Sequence, residues 1–504
     1  MSEHSPGPRL SAIGDDQPNP PTSEPLRIGS RRLTLDVAVQ IVARILNLAL
    51  GVVVTFVLAR ALGSSSFGLW STLFAVTQIT SSFGELGLTQ IAISRAASEP
   101  DLEPEWLGSL LSLRLLLAVP ITVASIVAVF LIVSSHEGRI AGTLLSLVLL
   151  VGAFGTLGVV FQLRVRNHIT MAIMTVNSIV WGGGVIVVAI LSGGIVAFAA
   201  VFLAASIFTN TLTAVVASRA AVVRLRDTRR LWRPLLRVGL GLGAAGILVT
   251  LYVKLDQILV FEIAGSHEAG LYAADYRLLD QIQFIPLSLM TTLFPLIAAA
   301  YPTYRERVRE LLQMAAEYLA MASLPILAFT IVAARPIVTL LFGGQFAPAA
   351  PALPVLAGAF VSISFGYLVG NMVVVLELQY LFLRFAAIGL AINVVLNLLF
   401  IPHYGFLAAA WITLLTEATV MSMSMRRVLR ALEMRPRLRR LARVLLCALA
   451  MGVAVWLARM AGVPLGGLVA IAAVTYLPSL MLLGVLSLDE LRSVLRKEPL
   501  AGAG

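Results

Sequence analysis

Residues 248–272, LVTLYVKLDQILVFEIAGSHEAGLY, decide how the chain is organised. The run up to Ala264 is apolar enough to lie in a membrane, yet it carries Lys254 and Asp256 in its middle. It breaks at Gly265 and enters a second apolar run that holds Asp275, Arg277 and Asp280. The break itself, GSHEAGLY at 265–272, has a counterpart 202 residues earlier, GSSSFGLW at 63–70. Two glycines, a serine and a leucine coincide, and Trp70 matches Tyr272.

The rest of the chain fits a membrane reading. Of 504 residues, 59% are hydrophobic and only 12% charged, with a mean hydropathy of +0.93, against about 25% charged in soluble domains. A spanning helix needs about 20 mostly apolar residues to cross a core of ~30 Å. Apolar runs beginning near Leu35, Gly68, Leu107, Ile140, Ile169, Gly194, Leu235, Gly270, Leu311, Pro351, Leu381, Gly405, Leu441 and Pro464 predict an all-α polytopic protein with 14 transmembrane helices. Residues 1–34, rich in Pro, Ser and Asp, predict a disordered tail that is not a cleaved signal peptide.

Charge sets the orientation. Basic residues collect on alternate connections, around Arg31, Arg95, Arg164, Arg224 to Arg237, Arg305 to Arg309, Arg426 to Arg443 and Arg492 to Lys497. The intervening connections hold Arg60, Arg139, Arg335 and Arg459. Short basic loops stay in the cytoplasm, so both termini are expected inside. The same placement explains the formal net charge of +11 without a nucleic-acid partner. The outer connections are short, the longest being 335–350, so no extramembrane domain is expected to shape a reaction centre.

In the span count, the two matching turns join spans 1 and 2 and spans 7 and 8. An offset of six spans preserves orientation, which predicts two six-helix lobes related by a pseudo-two-fold axis along the membrane normal, with a cavity between them. Spans 13 and 14 follow. The expected boundaries are 35–218 for the N-lobe, 219–234 for a basic cytoplasmic linker, 235–430 for the C-lobe, 431–487 for the last two spans and 488–504 for a cytoplasmic tail.

Other motifs carry no chemistry. GLGAAG at 241–246 fits a dinucleotide pattern but lies inside an apolar helix, where small residues serve close helix packing. No phosphate-binding GxxxxGK[ST] occurs, and the five histidines lack metal-ligand spacing. The single cysteine, Cys447, excludes an intrachain disulfide. The chain reads as a non-enzyme with no cofactor.

Three stretches carry a family likeness: ARALGSSSFGLWSTLFAVTQITSSFGELGLTQIAISRAA, KLDQILVFEIAGSHEAGLYAADYRLLDQIQFIPLSLMTTLFPLIAAAYP and INVVLNLLFIPHYGFLAAAWITLLTEA. They resemble spans 1–2, 7–8 and 11–12 of the Wzx-type polysaccharide flippases, in the superfamily that includes lipid II flippases and multidrug and toxin extruders. The likeness covers roughly residues 35–430. It implies a bacterial cell-membrane protein that moves an undecaprenyl-diphosphate-linked oligosaccharide between leaflets by alternating access, for cell-surface polysaccharide synthesis. Polysaccharide polymerase and glycosyltransferases are its implied neighbours. Two rival functions are an exporter of cationic drugs and a membrane scaffold for glycosyltransferases.

Charges within spans are costly, at about 2.5 to 3.5 kcal/mol on insertion scales, so they should face a partner or a cavity. Glu85, Arg114, Glu377 and Arg384 lie near the cytoplasmic ends and can reach water, and Glu262 adjoins the outer turn. Lys254 and Asp256, two apart, point about 200° away from each other on a helix. With His267 as the tip of the hairpin, Lys254 comes level with Asp280, and Asp256 with Arg277. This predicts two cross-helix ion pairs, or one pair and one free cation. The charges either lock the hairpin or leave Arg277 or Lys254 to bind the substrate diphosphate, with Arg44 on the opposite lobe. Asp256, Asp280 and Glu417 are the candidate carriers of a proton or sodium ion.

Overall fold

In the computed structural model, residues 30–164, 166–224, 228–301 and 303–486 are described. The expected tails therefore fall outside the described residues, except for 30–34, which already belong to the first helix. Fifteen α-helices and no strand occur among the described residues. They are α1 (Ser30–Glu85), α2 (Leu88–Ser98), α3 (Glu103–Ile132), α4 (His136–Gly155), α5 (Val159–Leu163), α6 (Asn167–Ile190), α7 (Ile195–Ala220) and α8 (Arg229–Ala264). The series continues with α9 (Ser266–Ile282), α10 (Phe284–Ala300), α11 (Arg305–Phe342), α12 (Ala352–Val375), α13 (Gln379–Ala431), α14 (Leu438–Met460) and α15 (Leu465–Leu482).

Eleven helical segments among the described residues are long and apolar enough to cross a membrane. Two helices are too long for one crossing: at 1.5 Å per residue a straight α1 or α13 would extend roughly 80 Å. Each is divided by a glycine with non-helical backbone, Gly63 in α1 (φ 74°, ψ 168°) and Gly405 in α13 (φ 58°, ψ −146°). Gly265, between α8 and α9, adopts φ 90° and ψ 172°, nearly the geometry of Gly63. The two glycines that the repeat aligns thus make the same turn, in a region of backbone space that side chains with a Cβ avoid.

The two repeat segments pack on each other. A Cβ on Gly68 would overlap the Ser266 carbonyl oxygen, and a Cβ on Gly270 would overlap the Ser64 carbonyl oxygen. Ser64 Oγ and His267 Nδ1 are hydrogen-bonded across the same contact, 2.8 Å apart. Phe56, Phe67, Phe342 and Phe346 seal this end with edge and tilted ring contacts at centroid distances of 5.1 to 6.5 Å. The segment 335–350, expected as a long loop, is mostly ordered helix: α11 runs to Phe342 and a 3-10 turn covers Gly344–Ala349. Its phenylalanines are needed in this seal, which is why it folds back instead of looping out. Arg60 caps α11 by donating to the carbonyls of Leu340 and Leu341.

Buried apolar side chains explain how the helices are held. At the Gly63–Gly265 end one cluster runs continuously from Val54 and Trp70 through Tyr272 and Phe342 to Ile412. At the opposite end the core is split. Leu88, Trp106, Phe161 and Leu235 belong to one cluster, and Met290, Leu311, Met372 and Val428 to another. A fourth cluster fastens α14 and α15 to α11 through Val444, Met451, Ala320 and Ala333. One end of the molecule is therefore a single core, and the other is two cores with space between them.

Candidate functional site

The charged hairpin stands where the split begins. Lys254 on α8 and Asp280 on α9 form an ion pair, with Nζ and Oδ2 3.5 Å apart and side chains 21% and 26% exposed. This is the pairing that depth along the two helices predicts. The second expected pair, Asp256 with Arg277, does not form. Equal depth does not fix azimuth: a two-residue step from Lys254 turns Asp256 to the other side of α8, towards α13.

Asp256 is 2% exposed and is held by neutral groups. Thr413 Oγ1 donates to Oδ2 at 2.9 Å, Tyr272 Oη to the same oxygen at 3.2 Å, and Asn397 Nδ2 to Oδ1 at 3.0 Å. Asn397 also donates to Asn393 Oδ1 at 3.1 Å, while its own Oδ1 is buried without a hydrogen-bond partner. The carboxylate thus has no cation within 4.0 Å among the described residues, and an acceptor oxygen beside it is unsatisfied. Such an arrangement of neutral donors around a buried acid was not singled out from sequence. The i, i+4 spacing of Asn393 and Asn397 inside an apolar helix was its available signal.

Arg277 instead shares a face of α9 with Asp280, three residues on. Its guanidinium lies 5.3 Å from the centroid of Phe74, and no acid lies within ion-pairing distance among the described residues. Lys254 lies 5.3 Å from the centroid of Tyr276. Phe74 and Tyr276 are equivalent positions in the repeat, 202 residues apart, so each half supplies an aromatic face to one cation. The charges themselves are not repeated, because Val52, Val54, Ala75 and Gln78 stand at the positions equivalent to Lys254, Asp256, Arg277 and Asp280.

A small pocket of about 40 Å³ collects Phe74, Gln78, Lys254, Arg277 and Asp280 between the two repeats. It shares Gln78 and Lys254 with a cleft of about 600 Å³ between α1 and α8, which is lined by Ser81, Ser82, Glu85, Gln90, Gly246 and Thr250. Glu85, at the edge of that cleft, is neutralised by Arg114 at 2.8 Å. Gly239 and Gly243 let α8 approach Leu86 and Leu88, which is the packing role expected of this glycine-rich run, whereas a Cβ on Gly246 would meet open space.

On the far side of α9 the surroundings change. Leu278, Leu279 and Ile282 line an apolar cleft of about 530 Å³ with Val52 and Phe56 of α1, Phe329 of α11 and Tyr476 of α15. One helix therefore carries a cation pocket on one face and an apolar cleft on another.

Of the other expected residues, Glu417 lines a cavity between α8, α9, α12 and α13, which adjoins the charged pocket at Val253 and Tyr276. The backbone of Arg44 is part of α1, but its side chain lies outside the described residues. Glu262, Glu377 and Arg384 are exposed.

Residues 57–351 match the model of the polysaccharide biosynthesis protein family. The chain belongs to that family. No curated protein sequence matches it. Among solved structures, this polysaccharide biosynthesis protein is similar to the lipid II flippase MurJ in an inward closed conformation. The TM-score is 0.72 at 14% identity, covering 92% of this chain and 99% of that one. It is also similar to an inward-facing multidrug resistance transporter of the MATE family in the MOP superfamily. There the TM-score is 0.61 at 15% identity, covering 78% of this chain and 99% of that one. The shared all-α architecture, with eleven segments long and apolar enough to cross a membrane among the described residues, is that of a multi-pass membrane protein.

Proposed function

We propose that the chain is a Wzx-type flippase that moves an undecaprenyl-diphosphate-linked oligosaccharide from the inner to the outer leaflet of a bacterial cell membrane. The observation that carries this reading is the two-sided environment of α9. Arg277 and Lys254 outnumber Asp280 in the pocket on one side, and the apolar cleft lies on the other. An amphiphile with a long apolar tail and an anionic linkage to a polar head matches both. A cation without a counter-ion is costly at membrane depth, and a diphosphate oxygen would supply the missing charge. The hydroxyl- and amide-lined cleft that joins the pocket offers neutral hydrogen bonds suited to sugar hydroxyls.

In this reading the lobes are residues 35–218 and 235–430, with both termini cytoplasmic. The continuous core closes the outer side and the split core leaves the inner side able to admit a headgroup. Rocking of the lobes about the Gly68–Gly270 contact would reverse that. Arg44 would approach the same diphosphate from the N-lobe. Asp256, with the unsatisfied Asn397 oxygen beside it, is the residue best placed to hold a coupling proton or sodium ion. The polymerase and glycosyltransferases that use and make the substrate are the natural partners.

The test is translocation of a diphosphate-linked oligosaccharide in vesicles containing the full chain. Arg277→Ala should lower the rate at least tenfold, and Arg277→Lys should retain part of it, because lysine keeps the charge but loses the two-pronged donor geometry. Unchanged rates in both Arg277→Ala and Arg44→Ala would refute phosphate recognition by these cations.

A further inference from the structure

The cavity that holds Glu417 differs in kind from the charged pocket. It has a volume of about 410 Å³ and is lined by α8, α9, α12 and α13, within the C-terminal repeat. Three tyrosines and a phenylalanine form its walls: Tyr252, Tyr276, Tyr367 and Phe382. Glu417 is its acid, and no Lys or Arg lines it among the described residues. Lys254, which lies over the Tyr276 ring, belongs to the other pocket and is paired with Asp280.

Two further observations show that the space is built for an occupant. Ser424, 2% exposed, lines the cavity with its Oγ buried and without a hydrogen-bond partner. Gly366 and Gly370 also line it, and a Cβ on either would meet nothing within 4 Å. Native interiors rarely leave both a polar atom unsatisfied and the adjoining volume unfilled.

We propose that this cavity is a binding site for an organic cation of the substituted-ammonium type. The faces of the tyrosine rings attract a cation through their quadrupoles, most strongly where water is excluded. Glu417 supplies the counter-charge, and Ser424 a hydrogen bond to a polar substituent. A bare metal ion fits poorly: hard cations take about six oxygen ligands, and no group of three or more metal-ligating acids, histidines or cysteines exists among the described residues. The volume lies in the range of small-molecule sites, roughly 300–1,000 Å³. The site shares the Tyr276 ring and Val253 with the charged pocket but none of its charged side chains, Lys254, Arg277 or Asp280, so it does not rest on the diphosphate reading.

The experiment is equilibrium dialysis of benzyltrimethylammonium, and of neopentylbenzene as its uncharged isostere, against the full chain in lipid nanodiscs. Saturable one-to-one uptake of the cation is expected, with the isostere bound at least tenfold more weakly. Glu417→Gln should weaken the cation at least tenfold, and Gly370→Leu, whose Cβ would meet nothing within 4 Å and whose branch would extend into the cavity, should abolish uptake. Glu137→Gln, at an exposed acid elsewhere, should leave uptake unchanged and checks that the loss is not one of general charge. Absence of saturable uptake by the parent protein, equal binding of the isostere, equal affinity in Glu417→Gln, or displacement by sodium at equal concentration would each overturn the assignment. Glycolipid translocation in the same preparations separates the two readings: its absence alongside intact cation uptake would remove only the flippase.

Discussion

Replacing Gly68 by alanine puts one methyl group into the contact that closes one end of the molecule. A Cβ there overlaps the Ser266 carbonyl oxygen and comes within 2.6 Å of the Gly270 amide nitrogen. Carbon contacts are comfortable at about 3.5 to 4.0 Å, so α1 and α9 must part by about 1 Å or more. Overpacking of this kind costs ~1–3 kcal/mol, a shift of roughly 5- to 150-fold in the closed population at 1.4 kcal/mol per factor of ten. The same change favours the helix itself by about 1 kcal/mol wherever α1 stays helical, closed or open. Thermal stability should therefore move little while the closed state is depopulated. The assay is disulfide formation between Ser64→Cys and His267→Cys, whose native side chains are hydrogen-bonded at 2.8 Å. Cys447 is buried and does not compete. The cross-link should form readily in the parent and at least fivefold more slowly with Gly68→Ala. Gly270→Ala should behave alike, and the double substitution should add less than the sum, because one separation relieves both overlaps. An unchanged cross-linking rate in Gly68→Ala would refute the role given to this contact.

Two further outcomes follow from the polar network and the ion pair. Asp256→Leu removes the acceptor that Thr413, Tyr272 and Asn397 share and leaves them only the Ala409 carbonyl oxygen, Thr413 Oγ1 and Asn393 Oδ1 as partners, so a loss of about 1–3 kcal/mol in all is expected in denaturation, with a much smaller loss for Asp256→Asn. Lys254→Gln should weaken the hairpin, and adding Asp280→Asn should restore part of the loss, giving a coupling energy of about 0.5–3 kcal/mol in a double-mutant cycle. A coupling of zero would mean that the pair contributes nothing to the hairpin.

The membrane character of the chain and the 202-residue repeat were legible in sequence because both depend on local pattern. Apolar length decides whether a helix can cross a bilayer, and Gly63 and Gly265 mark turns that other residues avoid. The Lys254–Asp280 pair was legible too, since residues equidistant from a tight turn lie at equal depth on antiparallel helices. Direction around the helix axis was not. Asp256 and Arg277 also lie at nearly equal depth, yet they diverge because Asp256 finds neutral donors on α13 and Arg277 finds the ring of Phe74, contacts made by segments more than 130 residues away.

By itself the sequence determined an all-α membrane protein, its repeat, and which charges had to be accounted for. Only the tertiary structure decided which charges meet, which stay without an ion pair, and that Glu417 belongs to an aromatic cavity on the other side of Tyr276 from Lys254, not to the basic pocket itself. The physical reason is that burial and hydrophobic length are properties of single segments. Partner choice for a buried charge is a property of three or four segments at once, and it exists only when they are packed.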